Sequence, residues 1–196
     1  MNDTGSSWIQ SCRAGYRDWN GRYTGGNEIM HLVPYKDQLF AVNGYWMDLR
    51  WRLDYNDRQS AQVLRLGSSN GEWEVDLEIG QANGSSQRYM KGNVLQSVTF
   101  THNGSADSLP QPEKLLLMSA GAYYGEQRGA VSVWVRDDNE GNWSHSFVKS
   151  GSAANGLRWI PRDIEVYTGT GIGTHFCVIA FRWQYHFCWW ARLLWH

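Results

Sequence analysis

The sequence predicts an all-β fold made of repeated four-stranded units. In segments 61–77 and 131–148, apolar and polar residues alternate on both sides of a polar turn that contains glycine, which is typical of an antiparallel hairpin. Each hairpin follows two further strand-like segments in the same order. No stretch of useful length has the period of an amphipathic helix. The chain is therefore expected to contain strands and turns.

Four short antiparallel strands per unit, repeated with polar turns between them, are the sequence pattern of a β-propeller blade. The predicted blades are 25–80, 90–150 and an incomplete third at 156–179, which makes about two and a half to three blades in all. A closed propeller typically needs four to eight blades. The chain is thus expected to be a partial β-propeller, either a fragment, an open arc or a ring closed by association. A single β-sandwich, whose hairpins match by chance, is the alternative.

The first unit follows a turn-rich segment, 1–24, which we expect to be an irregular lead-in packed by its aromatic residues. Its first strand is predicted at 28–35 and its second at 39–42, and the 61–77 hairpin supplies the third and fourth. Pro34 removes a ladder hydrogen bond, so it predicts a strand end or an exposed edge.

The second and third units repeat this order with longer connections. Strands are predicted at 94–101 and 114–120, separated by a loop at 103–113 that contains two prolines. The continuous apolar run of 114–120 predicts a strand covered on both faces. The third unit is expected to have strands at 163–167 and 175–179, after which the pattern breaks.

The tail, 180–196, is rich in Trp and contains no Gly, Asp, Asn or Ser. Shifting its reading frame by one base would convert several Trp codons into Gly codons and would permit the strands that the third unit lacks. We therefore raise the hypothesis that the tail follows a frameshift. An interfacial amphipathic segment and packing at a core edge are the alternatives.

Composition excludes several classes of protein. A formal net charge of -1 provides no field that would attract nucleic acid. The three cysteines have no zinc-like spacing, so neither a metal site nor a disulfide framework is predicted, and no cofactor is expected. No apolar run is long enough to span a membrane, and no signal peptide opens the sequence. The compartment is left open, and Asn-x-Ser/Thr sequons favour secretion only if the start lies inside a longer reading frame.

The two hairpin turns resemble the Asp-box turn of sialidase-like propellers, in which a short polar residue, a glycine and a tryptophan recur between the third and fourth strands. The residues near those roles are Asn70, Gly71, Trp73, Asp137, Asn139, Gly141 and Trp143. In this chain Asn replaces the Asp of the Asp-box pattern, and the Trp lies earlier than in that pattern. The resemblance implies a structural turn that uses glycine for a positive φ and tryptophan to pin the hairpin. The order of segments over 25–176 also resembles an uncharacterised family of propellers with long blades, which implies no assigned activity.

Catalytic candidates are few. Alignment of the three first strands places His31, Ser97 and Asp163 in register, with Glu165 two residues on, and such positions could face a central channel. Arg162 precedes Asp163 at a strand entry. The alternative is that these polar groups are satisfied by neighbouring backbone. The Arg-Ile-Pro sequence of sialidases is missing, because a Trp separates Arg158 from Ile-Pro.

Aromatic residues that follow the second strands suggest sugar binding, because a flat ring stacks on a pyranose while loop polar groups bind its hydroxyls. These ligand-binding candidates are Tyr45, Trp46, Trp51, Tyr123 and Tyr124. Packing of the long loops onto the blades is the alternative. The sequence thus favours a binding or scaffold protein with a glycan or protein ligand, and open blade edges could self-associate. A glycan-processing enzyme completed by missing blades, and a fragment with no activity of its own, remain alternatives.

Overall fold

The computed structural model describes most of the chain, and the surroundings of side chains in it are described as far as Val166. The described residues are 11–12, 15–26, 28–44, 60–79, 89–103, 107–123, 125–152, 154, 159–169, 173–182 and 185–186. Over these ranges the chain forms strands, turns and isolated bridges, without a helix. The prediction of an all-β protein is confirmed.

The strands form three antiparallel sheets in chain order. Sheet 1 has the order β1-β2-β3-β4, sheet 2 the order β5-β6-β7-β8, and sheet 3 the order β11-β10-β9. The strands are β1 Glu28–Tyr35, β2 Gln38–Gly44, β3 Gln62–Leu66, β4 Trp73–Glu78, β5 Val94–His102, β6 Ser108–Gly121, β7 Val131–Asp137, β8 Asn142–Lys149, β9 Trp159–Gly169, β10 Gly173–Arg182 and β11 Tyr185–His186. In each complete sheet, strands that follow one another in the sequence are also neighbours in space.

The predicted loop at 103–113 is wrong over most of its length. Strand β6 begins at Ser108 and carries both Pro110 and Pro112. Both prolines lie in an irregularity between the pairs Phe100–Glu113 and His102–Ser108 of β5 and β6, and β7 begins to pair with β6 only at Leu117. A proline is tolerated there because the side of the strand that lacks a neighbour needs no ladder donor.

The prediction for Pro34 is confirmed. Pro34 lies in β1, which is the edge strand of sheet 1, and its side chain is exposed. The turn that follows joins β1 to β2 through Lys36 and Asp37, which have φ angles of 44° and 61°. A two-residue hairpin turn of this kind matches the right-handed twist of the strands, although it favours Asn and Gly over the residues found.

Sheet 2 lies between the other two sheets. One of its faces packs on sheet 1 through a buried cluster that includes Phe40 and Val42 from β2 and Met118 from β6. Its opposite face packs against β9 through Leu117 and Ile164. Strand β6 is therefore covered on both faces, as its continuous apolar run predicted.

The first strands of the three sheets contact one another. Strand β1 packs against β5, and β5 packs against β9 and β10, while the last strands of sheets 1 and 2, β4 and β8, also meet. The starts of β1 and β5 are linked through Gly44, which pairs with Glu28 and forms a bridge with Lys91.

The lead-in is held to sheet 1 by a carboxylate, and the expectation that its aromatic residues pack it stays a prediction. Residues 15–24 form a small hairpin with an isolated bridge between Arg17 and Tyr23. Asp18 is buried and accepts a hydrogen bond at 3.0 Å from the backbone amide of Val75. Trp19, by contrast, is 69% exposed, and Tyr16 is also exposed.

The third sheet extends past the predicted break at residue 179. Strand β10 continues to Arg182, where it pairs with Trp159, and β11 adds Tyr185–His186. The aberrant tail thus begins inside a strand. Residues 187–196 lie outside the described part of the chain, and the frameshift stays a hypothesis.

Candidate functional site

The strands alternate in direction, so the sheets have two distinct ends. The connections β1–β2, β3–β4, β5–β6 and β7–β8 lie at one end, which we term the turn end. At the other end, termed the entry end, β1, β5 and β9 begin and β2 and β6 finish. The polar residues singled out in the sequence are divided between these ends.

At the turn end, the β7–β8 hairpin is closed by the side chain of Asp137. Its Oδ1 accepts hydrogen bonds from the backbone amides of Asn139, at 2.8 Å, and Glu140, at 3.3 Å. Gly141 has a φ of 66°, in the region that favours glycine. The indole Nε1 of Trp143 donates a hydrogen bond at 2.7 Å to Asp76 of sheet 1, so this tryptophan joins two sheets.

The β3–β4 hairpin uses different turn chemistry. The amide of Gly71 donates to the carbonyl of Ser68 at 3.0 Å, and Gly71 does not have a positive φ, contrary to the role that the resemblance implies. Asn70 is exposed at the turn. Trp73 Nε1 donates to Ser11 Oγ at 3.1 Å, which ties the hairpin to the lead-in. The two hairpins therefore have similar strand pairing but different turns.

A network of charges also joins sheets 1 and 2 at the turn end. Asp76 is the extra residue of a bulge in β4, and Arg136 Nε lies 2.9 Å from its Oδ2. Arg136 also contacts Asp138, whose Oδ2 lies 2.5 Å from both Lys36 Nζ and Tyr35 Oη. Burial alone would raise the pKa of the Asp138 carboxyl, but the hydrogen bonds from Lys36, Tyr35 and Arg136 lower it. Cations and carboxylates are matched in this network, so its arrangement supports a structural role.

At the entry end, Lys91 lies across Gly44, the last residue of β2. The two residues form an isolated bridge, and a Cβ on Gly44 would lie 2.6 Å from the Lys91 Cβ. On its other side, Gly44 pairs with Glu28, the first residue of β1. Glycine is needed at residue 44 because any side chain there would occupy the space that Lys91 fills.

The start of β9 packs against the end of β6, close to the segment that carries Lys91. A Cβ on Gly121 would lie 2.7 Å from the Trp159 carbonyl oxygen and 3.2 Å from Pro161 Cδ. The amide of Gly121 donates to Asn93 Oδ1 at 3.3 Å, which connects this contact to the segment that carries Lys91. Arg162 follows Pro161 directly and is the extra residue of a bulge, since Asp163 and Pro161 pair with consecutive residues of β10.

Glu28, Lys91 and Arg162 lie at the entries of three successive sheets, and we term them the entry cluster. Lys91 is 7% exposed, whereas Arg162 is exposed to solvent. Burial lowers the pKa of the Lys91 ammonium, the charge of Arg162 lowers it further, and the charge of Glu28 raises it. The charges of Arg162 and Glu28 thus both act on the Lys91 ammonium.

The sequence reasoning missed Lys91. A single lysine in a short segment between two strands carries no pattern of its own, and its burial depends on Gly44, which is far from it in sequence. The glycine was the available signal, because a glycine at a strand end can mark a close approach by another backbone or side chain.

The other catalytic candidates are not brought together. His31 pairs with Val42 and Ser97 pairs with Leu116, so both face the space between sheets 1 and 2. Ile164 packs against sheet 2, so its neighbour Asp163 faces the other side of sheet 3.

Asp163 accepts a hydrogen bond at 2.8 Å from the amide of Ile164, and Glu165 is exposed on the same strand. His31 faces forward to sheet 2 and Asp163 faces onward from sheet 2, whereas Ser97 faces back to sheet 1, so in a radial series Ser97 is the aligned residue that lies on the opposite face. A catalytic role for these residues stays a prediction that no contact described here supports.

Most of the predicted sugar-binding residues cannot be placed. Tyr45, Trp46, Trp51 and Tyr124 lie outside the described residues, and Tyr123 is half-buried just after β6. The chain positions are still informative, because the segment with Trp46 begins directly after Gly44 and Tyr123 follows Gly121 by two residues. Both aromatic segments thus start at the entry end.

The described residues contain neither a metal-binding group nor a membrane-spanning helix. No group of three or more His, Cys, Asp or Glu side chains in this part of the chain could hold a metal ion. Over the same ranges, no helix has the length and apolar character needed to cross a membrane.

Comparison with known proteins gave one structural similarity to report. No protein-family model matches the chain, and no curated protein is similar to it in sequence. Among solved structures, the chain is similar to an exo-beta-1,3-galactanase from Clostridium thermocellum, with 13% identity and a TM-score of 0.37. The match covers 85% of this chain and 34% of that one, so the chain spans about a third of that protein's length.

Proposed function

We propose that this chain is part of a β-propeller that binds a carbohydrate ligand at the entry end of its sheets. The observation that carries the proposal is that Glu28 and Lys91 flank Gly44, where the segment with Trp46 begins, and that the charge of Arg162 also acts on Lys91. A binding role is preferred to a purely scaffolding one because these groups lie together at one end.

The contacts between sheets favour a radial arrangement over a two-layer sandwich. Each complete sheet runs in simple sequence order, and the first strands of consecutive sheets touch. A third sheet packed behind the second extends this series, and a two-layer sandwich has no place for it. The faces of sheets 1 and 3 that point away from sheet 2 would then be where further blades, or a second copy of the chain, pack.

Carbohydrate is the favoured ligand class because of what the entry end can offer. Sugar binding requires aromatic rings to stack on the ring face and a few polar groups to bind hydroxyls. The segment that carries Tyr45, Trp46 and Trp51 leaves β2 at Gly44, which lies between Glu28 on one side and Lys91 on the other. Aromatic and charged residues are therefore supplied to the same end of the protein.

The proposal is tested by measuring binding to a glycan array and then titrating the best ligand against two variants. Trp46→Ala should weaken binding at least tenfold, because it removes a stacking ring at the entry end. Trp19→Ala is the matched control, since it removes an exposed indole from the lead-in and should leave binding unchanged. Absence of binding to any glycan, or equal loss in both variants, would overturn the proposal.

A glycan-processing enzyme is the second candidate, and the exposed Arg162 and Asp163 at the entry of β9 favour it over other enzymes. In that case the remaining catalytic groups would come from further blades. Turnover of a sialoside or polysaccharide that is lost in Asp163→Asn, with binding retained, would support it. Neither binding nor turnover by a folded sample would indicate a fragment with no activity of its own.

A further inference from the structure

We propose that the lead-in is a displaceable cap on sheet 1, and that its release allows the surface beneath it to bind a second copy of the chain. The described residues of the lead-in are 11–12 and 15–24. The inference goes beyond the proposed function, because it concerns how the sheets assemble and needs no ligand. It is carried by the packing and the hydrogen bonds that hold the lead-in on sheet 1.

The first step concerns the face of sheet 1 that points away from sheet 2. Side chains alternate between the two faces of a strand, so the residues of β2, β3 and β4 that do not meet sheet 2 form a separate cluster. We term this cluster the outer face, and it consists of Leu39, Ala41, Leu64, Leu66, Trp73 and Val75. Cys12 of the lead-in packs against the outer face, and Ser11 Oγ accepts a hydrogen bond at 3.1 Å from Trp73 Nε1. The lead-in therefore lies on an apolar surface.

The second step concerns the edge of the same sheet. Strand β4 is the last strand of sheet 1 and pairs with β3 alone. The amide of Val75 donates to Asp18 Oδ2 at 3.0 Å, and Glu74 Oε2 accepts a hydrogen bond at 2.8 Å from Trp19 Nε1. An outward amide on an edge strand is a ready donor for a strand of another molecule. Asp18 occupies this donor, so the lead-in closes the edge of the sheet as well as its outer face.

The third step concerns how the lead-in is attached. Where it approaches β1, two buried amide side chains hold it. Gln62 Nε2 donates to the Tyr23 carbonyl at 2.7 Å, and Asn43 Nδ2 donates to the Gly25 carbonyl at 2.9 Å. The hairpin of the lead-in is held separately, through the buried carboxylate of Asp18. A change at Asp18 should therefore release the hairpin and leave the attachment near β1 intact.

The lead-in occupies a place that a neighbouring sheet occupies elsewhere in the described chain. Sheet 2 has sheet 1 on one face and β9, through Ile164, on the other. Sheet 1 has sheet 2 on one face and the lead-in on the other. In repeat proteins, a unit that lacks a neighbour on one side needs a capping segment there, because its apolar face would otherwise meet water. The lead-in thus substitutes for a sheet.

A second copy of the chain is the partner that fits the uncovered surface. Without the lead-in, the outer face would expose Trp73 and aliphatic side chains in one patch, and contiguous apolar patches of this kind mark interaction surfaces. The same surface on a second copy has matching chemistry, so two copies can pair about a twofold axis with their outer faces in contact. The closed cap prevents this pairing.

The experiment releases the cap in the full chain with Asp18→Ala. Cys12 reports the release, because it packs against the outer face and burial raises the pKa of its thiol, which slows its reaction with a thiol reagent. Labelling of Cys12, measured by mass spectrometry of its peptide, should be tenfold or more faster in the variant. Sedimentation velocity of the unlabelled variant should show dimerisation at least tenfold tighter than that of the wild type.

Two further variants control for general loosening and locate the contact. Asp137→Ala is the matched control, because Asp137 also accepts backbone amides but lies in the β7–β8 turn, and it should match the wild type in both measurements. The double variant Asp18→Ala/Leu66→Lys places a charge on the outer face at a half-buried position. Since burial of an unpaired charge is costly, the double variant should dimerise no more tightly than the wild type.

Each alternative outcome overturns the proposal. Faster labelling of Cys12 in Asp18→Ala without tighter dimerisation would mean that the uncovered surface needs no partner. Unchanged labelling in a folded Asp18→Ala would mean that this carboxylate does not hold the cap. Dimerisation that survives Leu66→Lys, or that is equally tight in Asp137→Ala, would place the contact elsewhere. If circular dichroism shows that Asp18→Ala is unfolded, Ser11→Ala removes a single hydrogen bond to the outer face and is judged by the same directions of change.

Discussion

The turn end and the entry end of the sheets use charged residues in opposite ways. At the turn end, Arg136 is buried and touches two carboxylates, Asp76 and Asp138, from two sheets. At the entry end, Lys91 is as deeply buried, and the pKa of its ammonium is lowered by burial and by the charge of Arg162 and raised by the charge of Glu28. Both ends use a bulge residue, Asp76 in one case and Arg162 in the other, to place a charge.

The comparison teaches how to separate a structural cluster from a binding cluster. Buried charges that are matched within the chain need no ligand, and breaking one partner leaves the other uncompensated. An exposed charge such as that of Arg162 is solvated and contributes little to stability. Stability should therefore depend on the turn end, while binding should depend on the entry end.

The largest expected effect is the loss of Arg136. Arg136→Ala leaves Asp76 buried without its main cation, and such a change typically costs about 3–5 kcal/mol of unfolding free energy. Urea denaturation followed by circular dichroism measures the loss. Arg162→Ala is the counterpart at the entry end and should change stability by less than about 0.5 kcal/mol, as surface substitutions usually do. Similar losses in both variants would remove the distinction between the ends.

A second prediction uses the acid pH dependence of the turn end. The pKa of Asp138 is lowered from its ordinary value of 3.8, so its stabilising contribution is present above that value and is lost as the pH falls through the lower pKa of the folded protein. Asp138→Asn should therefore be less stable than the wild type at pH 6, and the difference should shrink toward pH 2.

Urea midpoints measured at intervals over this range give the comparison. Asp107→Asn, which changes an exposed carboxylate in the β5–β6 connection, is the control and should produce a smaller change at every pH. A difference for Asp138→Asn that is constant with pH would contradict the role given to its hydrogen bonds.

The smallest expected effect concerns the strained backbone of the β1–β2 turn. Asp37 has a φ of 61°, which glycine adopts without steric cost. Asp37→Gly should stabilise the protein by roughly 0.5–1 kcal/mol, because relief of that strain outweighs the greater freedom of glycine in the unfolded chain. The readout is a higher urea midpoint with an unchanged slope.

A control for this turn lies next to it. Gln38→Gly changes a residue at the start of β2 that does not have a positive φ, and it should destabilise the protein. Destabilisation by Asp37→Gly would mean that the Asp37 side chain contributes more than its backbone costs.

The strands could be predicted from sequence because local alternation determines them. The predicted first strand coincides with β1, and the hairpins at β3–β4 and β7–β8 lie within a residue or two of their predicted ends. The β6 extension was missed because Pro110 is permitted by the absence of a neighbouring strand, which is not visible in the local sequence.

The candidate site was harder to predict because it depends on contacts between distant segments. Arg162 was identified at a strand entry, yet its partner Lys91 becomes significant only when Gly44 and Gly121 bring three sheets together. The network around Asp76 was also missed, because a one-residue bulge turns its side chain toward sheet 2. Bulge positions follow from tertiary pairing more than from residue type.

The central place of β6 has a consequence for how the protein opens and assembles. Residues 115–119 pair with β5, residues 117–121 pair with β7, and both faces of the strand are covered. Amides in this segment can reach solvent only when neighbouring layers separate, so they should be the slowest to exchange with deuterium. Sheets 1 and 3 each pack on one face of sheet 2. Sheet 2 is therefore the layer on which both outer sheets assemble.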